Sequence, residues 1–169
     1  MQLEIYCDAA YLVASKSRSR TAGYHYLGNY DRKIFNGQIY ALAKVIKAVM
    51  ISEAESESES LFLNVGEAVQ CIKTLEELGH IQHPVRLRTD NNTASGNANK
   101  TTKLSKAKKW DMHDWWMIDR IEQGQFTVEL SKGKHYLSDY FTKRHPSTHH
   151  KKVRPIYNYE PGVYLDGIL

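Results

Sequence analysis

Residues 61–90 read LFLNVGEAVQCIKTLEELGHIQHPVRLRTD, a helical repeat running into a short strand. Leu61, Val65, Ala68 or Val69, Ile72 and Leu75 recur at i, i+4, i+7/8, i+11 and i+14, which lines one face of a helix. Gly79 ends the repeat. Val85-Arg86-Leu87-Arg88-Thr89 then alternates as a strand does and leads into Asp90. A strand before this helix and another after it favour a crossover connection and parallel pairing. The sheet is therefore expected to be mixed, with helices on its faces.

Toward the N-terminus the pattern is β-rich. Leu3 to Cys7 alternates and is expected to end at Asp8. Gly23-Tyr24-His25-Tyr26-Leu27 is an aromatic strand closed by Gly28-Asn29, and Lys33 to Leu42 reads as a third strand. Polar loops between them predict an antiparallel meander. Toward the C-terminus, Asn91 to Lys100 is weakly helical, Trp110 to Glu122 is a firmer helix closed by Gly124, and Phe126 to Leu130 is a fifth strand. Lys132-Gly133-Lys134 turns into a short helix around Tyr136 to Thr142. These readings predict one α/β domain over residues 1–145. Prolines at 146, 155 and 161 predict an irregular tail over residues 146–169, packed by its tyrosines.

Composition agrees with one globular domain: 169 residues, 41% hydrophobic and 25% charged. Cys7 and Cys71 are too few for a disulfide framework and fit a reducing, intracellular setting in cytoplasm or nucleus. No run approaches ~18 apolar residues, so no membrane span is expected. The first residues enter a strand without a basic leader, so no signal peptide is expected. The net charge of +4 hides an uneven distribution. Glu53, Glu55, Glu57 and Glu59 form an acidic run. Lys100, Lys103, Lys106, Lys108 and Lys109 form a basic one, and Lys143, Arg144, Lys151, Lys152 and Arg154 another. Lys16, Arg18 and Arg20 make a third. Separated basic clusters beside an acidic patch point to a polyanion partner next to a metal or acid–base site.

Four carboxylates stand where the sheet can gather them. If the strands ending at Asp8 and Asp90 are neighbours, their ends share the place where α/β sheets hold ligands. Glu57 lies one turn upstream of Leu61 on the buried helical stripe, whereas the face of Glu59 continues to Gly66, Gln70 and Lys73 and is expected to meet solvent. Asp139 lies in the last short helix. Converging carboxylates repel one another unless a cation holds them, and oxygen-only ligation suits Mg²⁺ or Mn²⁺ rather than zinc.

The same residues carry a family resemblance over about residues 3–157. Tyr6-Cys7-Asp8-Ala9-Ala10-Tyr11, Ser17-Arg18-Ser19-Arg20-Thr21-Ala22-Gly23-Tyr24, Thr89-Asp90-Asn91-Asn92 and Leu137-Ser138-Asp139-Tyr140-Phe141-Thr142-Lys143 resemble motifs of the ribonuclease H domain in copia-type retrotransposon polyproteins. Ser52-Glu53-Ala54-Glu55-Ser56-Glu57 resembles that family's "SSAEAE" segment, whose second glutamate corresponds to Glu57. The resemblance implies a ribonuclease H-like fold with a five-stranded mixed sheet. It implies cleavage of the RNA strand of an RNA–DNA hybrid, beside a reverse transcriptase domain of the same polyprotein. It also implies two Mg²⁺ ions, replaceable by Mn²⁺, held by Asp8, Glu57, Asp90 and Asp139.

Substrate contacts are expected from Asn91 and Asn92, whose amides donate and accept, and from Lys106, Lys108, Lys109 and Lys143 on phosphates. Of Trp110, Trp115 and Trp116, at least two are expected to pack the fold. His135, one turn before Asp139, is a candidate proton shuttle, with a capping role as the plainer alternative. Glu59, His113 and Asp114 depart from the family pattern, which usually has a small residue, an arginine and an aromatic there. A catalytically weakened module and a resolvase- or integrase-like nuclease are therefore the competing readings.

Overall fold

The structure is a computed structural model that describes residues 1–28, 35–101, 108–131 and 136–158, with the side chains of 35, 36 and 108–111 excepted. Its strands are β1 (Gln2–Ala14), β2 (Arg18–Gly28), β3 (Phe35–Val45), β4 (Val85–Thr89) and β5 (Phe126–Leu130). Its helices are α1 (Glu53–Glu77), α2 (Asn92–Ala98), α3 (Lys108–Glu122), α4 (Asp139–Thr142) and α5 (Ser147–Tyr157). The sheet order is β3-β2-β1-β4-β5. β1, β2 and β3 form the expected antiparallel meander, and β4 pairs parallel with β1 on one side and β5 on the other.

Side-chain alternation gives the sheet two different faces. Leu3, Ile5 and Cys7 of β1, with Val85 and Leu87 of β4, meet Leu61, Val65 and Ala68 of α1 and Met117 of α3 in an aliphatic core. On the opposite face Tyr6, Tyr24 and Tyr26 pack with Tyr136, Leu137 and Ile156. Burying a large apolar side chain contributes roughly 1.5–3 kcal/mol, so these two clusters hold helices to both faces. Among the described residues, no helix is long and apolar enough to cross a membrane.

Three local readings are corrected. Asp8 does not end β1, which runs six residues further because its hairpin partner continues, pairing Asp8 with Ala22 and Ala10 with Arg20. Only the parallel partner stops there, since the β1–β4 register ends at Tyr6 and Arg88. Residues 147–157 of the expected irregular tail form α5. Pro146 takes its N-cap, where an absent N–H costs no helical bond, and Ile156 is buried beneath it. Glu59 is buried rather than solvated. Its carboxylate holds His113 Nδ1 at 2.7 Å, so α3 covers that flank of α1, and the His113 ring stacks on Phe62 at 3.8 Å.

Trp116 packs edge-on to Phe62 at 5.4 Å, whereas Trp115 is 53% exposed with Lys100 Nζ 5.6 Å from its ring centre. The Trp110 side chain, Lys106, the Lys108 and Lys109 side chains and His135 lie outside the described residues.

Candidate metal centre

Parallel pairing places the ends of β1's paired segment and of β4 side by side. Just beyond, one oxygen each from Asp8, Glu57 and Asp90 lies within 4.8 Å of the others. Asp8 and Glu57 are buried and Asp90 is exposed, so the group opens to solvent on one side. Asp139, the first residue of α4, adjoins it, and its charge raises the pKa of both Asp8 and Asp90.

Burial dominates the electrostatics; neighbouring carboxylates add to it, and Lys143 opposes them at Asp8 and Asp90. Burial, then the charge of Asp8, pushes the Glu57 carboxyl up to about 9. Burial also raises Asp8 to about 6, although the Thr142 hydroxyl pulls it down. Asp90 is raised by burial and then by Asp139. Glu57 Oε2 and Asp139 Oδ1 are buried and have no hydrogen-bond partner among the described residues. Unpartnered carboxylate oxygens cost free energy in place, and a divalent cation would satisfy them. The donors are all oxygen, which fits Mg²⁺ or Mn²⁺.

The framework that holds these acids is polar. Ser52 caps α1 by accepting from the Glu55 N–H at 3.1 Å, and the Glu55 carboxylate accepts from the Ile51 N–H at 2.7 Å. These reciprocal bonds at the helix start occupy Glu55 and leave Glu57 for the site. Glu57 Oε1 accepts from the Ala9 N–H at 3.1 Å. Deeper in, Ser19, Thr21 and His25 of one β2 face meet Ser56, Ser60 and Asn64 of α1, which are spaced by four. Ser19 bonds Ser56 at 2.8 Å, Thr21 bonds Ser60 at 2.7 Å, and His25 Nε2 donates to Asn64 Oδ1 at 2.9 Å. Ser60 also donates to the Asp8 carbonyl at 2.7 Å, joining α1 to the backbone of the first carboxylate.

Gly23 lies within the same contact. A Cβ there would stand 1.7 Å from Asn64 Oδ1, so no side chain fits. Burial, opposed by the Asn64 bond, lowers the His25 pKa to about 4 and keeps the ring neutral.

A second support comes from residues 136–143. The Tyr136 hydroxyl reaches the carbonyls of both Cys7, at 2.9 Å, and Arg88, where β1 and β4 part. The Thr142 hydroxyl donates to Asp8 Oδ2, and Lys143 Nζ pairs with Asp139 Oδ2 at 2.6 Å.

Of the expected site residues, the structure thus brings Asp8, Glu57 and Asp90 together, with Asp139 and Lys143 alongside. Asn91 serves first as the α2 N-cap, its side-chain oxygen accepting from the Thr93 and Ala94 N–H groups, so only its amide remains to donate outward. Asn92 is exposed on the first turn of α2. Tyr136, Thr142 and Ser60 were missed by the sequence reading. The signal for Ser60 was present: Ser56, Ser60 and Asn64 at helical spacing opposite Ser19, Thr21, Gly23 and His25 at strand spacing.

No family model matches the chain, and no curated protein matches it. Solved structures do. The N-terminal RNase H domain of a Mycobacterium tuberculosis protein aligns with a TM-score of 0.57 at 11% identity, covering 83% of this chain and 95% of that one. An RNase H1 isolated from compost by a metagenomic approach aligns at 0.58 and 10% identity, covering 83% and 91%. The RNase H domain of PFV, a foamy virus, aligns at 0.53 and 14% identity, covering 83% and 88%. The chain has the ribonuclease H-like fold, a five-stranded mixed sheet flanked by helices.

Proposed function

We propose that this protein is a divalent-metal-dependent endoribonuclease that hydrolyses the RNA strand of RNA–DNA hybrids, working beside a reverse transcriptase domain in a copia-type retrotransposon. The observation that carries the reading is the convergence of Asp8, Glu57 and Asp90 beyond the parallel strands, with unpartnered oxygens on Glu57 and on neighbouring Asp139. Two structural neighbours add support: the compost enzyme is described in complex with an RNA/DNA hybrid, and the foamy-virus structure is a protease–reverse transcriptase.

Asp8, Glu57, Asp90 and Asp139 would hold two Mg²⁺ ions, with Mn²⁺ able to substitute. When bound, such a pair supplies an activated water and stabilises the leaving 3′ oxygen. The chain's own residues do the rest. Thr142 and Ser60 fix Asp8, and the Ala9 N–H fixes Glu57. Lys143 neutralises a phosphate beside Asp139, and Lys106, Lys108 and Lys109 do the same along the other strand. Asn91 and Asn92 hydrogen-bond next to the scissile RNA. Products carry a 5′ phosphate and a 3′ hydroxyl.

The test is incubation with labelled RNA–DNA hybrid, duplex DNA and duplex RNA, with Mg²⁺ or Mn²⁺. Cleavage confined to the hybrid's RNA and lost in Asp90→Asn is the expected result. An intact hybrid under every condition would leave the fold as a non-catalytic module, and cutting of duplex DNA would assign it to another nuclease class.

A further inference from the structure

We infer that the segment 140–158, folded around α5, is a nucleic-acid-binding arm that grips a phosphate backbone beside the carboxylate group. The inference rests on the hybrid-nuclease reading for its choice of substrate, but its surface is separable from the chemistry. No aspartate or glutamate occurs between residues 140 and 158, whereas Lys143, Arg144, Lys151, Lys152 and Arg154 do. Arg144, Lys151, Lys152 and Arg154 are exposed, and among the described residues no ion pair holds any of them. Lys16, Arg18, Arg20, Lys47 and Lys73 are also outside any ion pair among the described residues, so what sets this segment apart is a run of 19 residues with five cations and no acid. Like charges three or four apart on a helix oppose its formation, so Lys151 and Arg154 work against α5 until an anion covers them.

The arm is fastened to the segment that carries Asp139. Tyr140 stacks on Tyr157 at 4.3 Å and donates from its hydroxyl to His150 Nδ1 at 2.9 Å. His150 Nε2 donates to the His145 carbonyl at 3.1 Å, and His145 Nε2 to the Asp139 carbonyl at 3.3 Å. Tyr157 donates to the Leu137 carbonyl, and Tyr24 of the sheet donates to the Ile156 carbonyl at 3.2 Å. Binding therefore need not order the arm, which removes one cost of association. The 11 residues of α5 extend about 16 Å, the length of several phosphates on one strand.

The experiment measures hybrid affinity by fluorescence anisotropy in EDTA at several salt concentrations, for the wild type and K151Q/K152Q/R154Q. Each phosphate contact contributes about 0.9 to the slope of log affinity against log salt. The variant should bind more weakly, with a slope shallower by up to about 2.7. K151R/K152R/R154K should restore the slope. Turnover at saturating hybrid with Mg²⁺ should match the wild type. Equal affinity and slope in wild type and glutamine variant would overturn the arm while leaving the nuclease reading intact. A wild type that cuts no hybrid, yet loses slope on substitution, would refute the nuclease reading and retain the arm. A wild type that binds no hybrid would overturn both.

Discussion

Replacing Glu57 by glutamine should stabilise the metal-free protein. In the unfolded chain this carboxyl ionises at its ordinary value of 4.5, and in the fold burial and Asp8 hold it up to about 9. The group's contribution is therefore fully present below pH 4.5 and is lost as pH rises toward 9. Across that window each pH unit costs about 1.4 kcal/mol, so at pH 7 the wild type has lost about 3 kcal/mol through this residue. Glutamine has nearly the same volume, keeps an oxygen for the Ala9 N–H and offers an amide donor to Asp8. Urea unfolding in EDTA at pH 5.5, 7 and 8 reads the effect, with the m-value as the check that both denatured states are alike. The variant should be more stable by about 3 kcal/mol at pH 7, and the gap should widen as pH rises. Excess Mg²⁺ should stabilise the wild type and not the variant. A gap that stays constant with pH, or a variant less stable than the wild type, would refute the reasoning.

Thr142→Val removes the hydroxyl that orients Asp8 and should weaken Mn²⁺ binding, read by calorimetry, about 10–100-fold, with Thr142→Ser retaining it; unchanged affinity would show the contact to be incidental. Gly23→Ala drives a methyl into Asn64 and should destabilise the fold by about 2–5 kcal/mol in denaturant unfolding. An Asn64→Ala background should recover part of that loss. His25, lowered by burial to about 4, contributes stability above pH 6.5 that is lost as pH falls toward 4. The stability of wild type relative to His25→Gln should therefore drop by about 2–3 kcal/mol between pH 7 and pH 4.5, and a flat difference would contradict a neutral buried ring.

Much of the arrangement was readable because it depends on local period. Alternation at Leu3 to Cys7 and Val85 to Thr89 marks strands, and the Leu61-to-Leu75 repeat marks the helix between them. That helix leaves β3 but leads into β4 beside β1, two strands away, so the parallel pair is not the one it connects; Asp8 and Asp90 then fall at one edge, and the helical phase chooses Glu57 over Glu55. The phase argument failed for Glu59, because a residue's exposure also depends on what covers its helix. α3 supplies His113 from fifty-four residues away in sequence, and so the two unusual residues form one contact. α5 was invisible for a related reason. Its serine, threonine, histidines and proline have weak helical preference, and it is held by Ile156 under the sheet's tyrosines rather than by propensity.

Sequence alone marked the five strands, the long helix between β3 and β4 and the four candidate acids, since each shows in side-chain period or motif spacing, but it left open which strands are neighbours. Tertiary structure alone decided how those acids are held. Serine, threonine, histidine and asparagine side chains become a ladder between β2 and α1 only when one face of the strand meets one face of the helix. Tyr136 and Thr142 reach β1 and Asp8 only after 129 and 134 intervening positions have folded back. Such pairings join residues that carry no mutual signal along the chain, because a hydrogen bond requires proximity and proximity between distant segments exists only in the folded state.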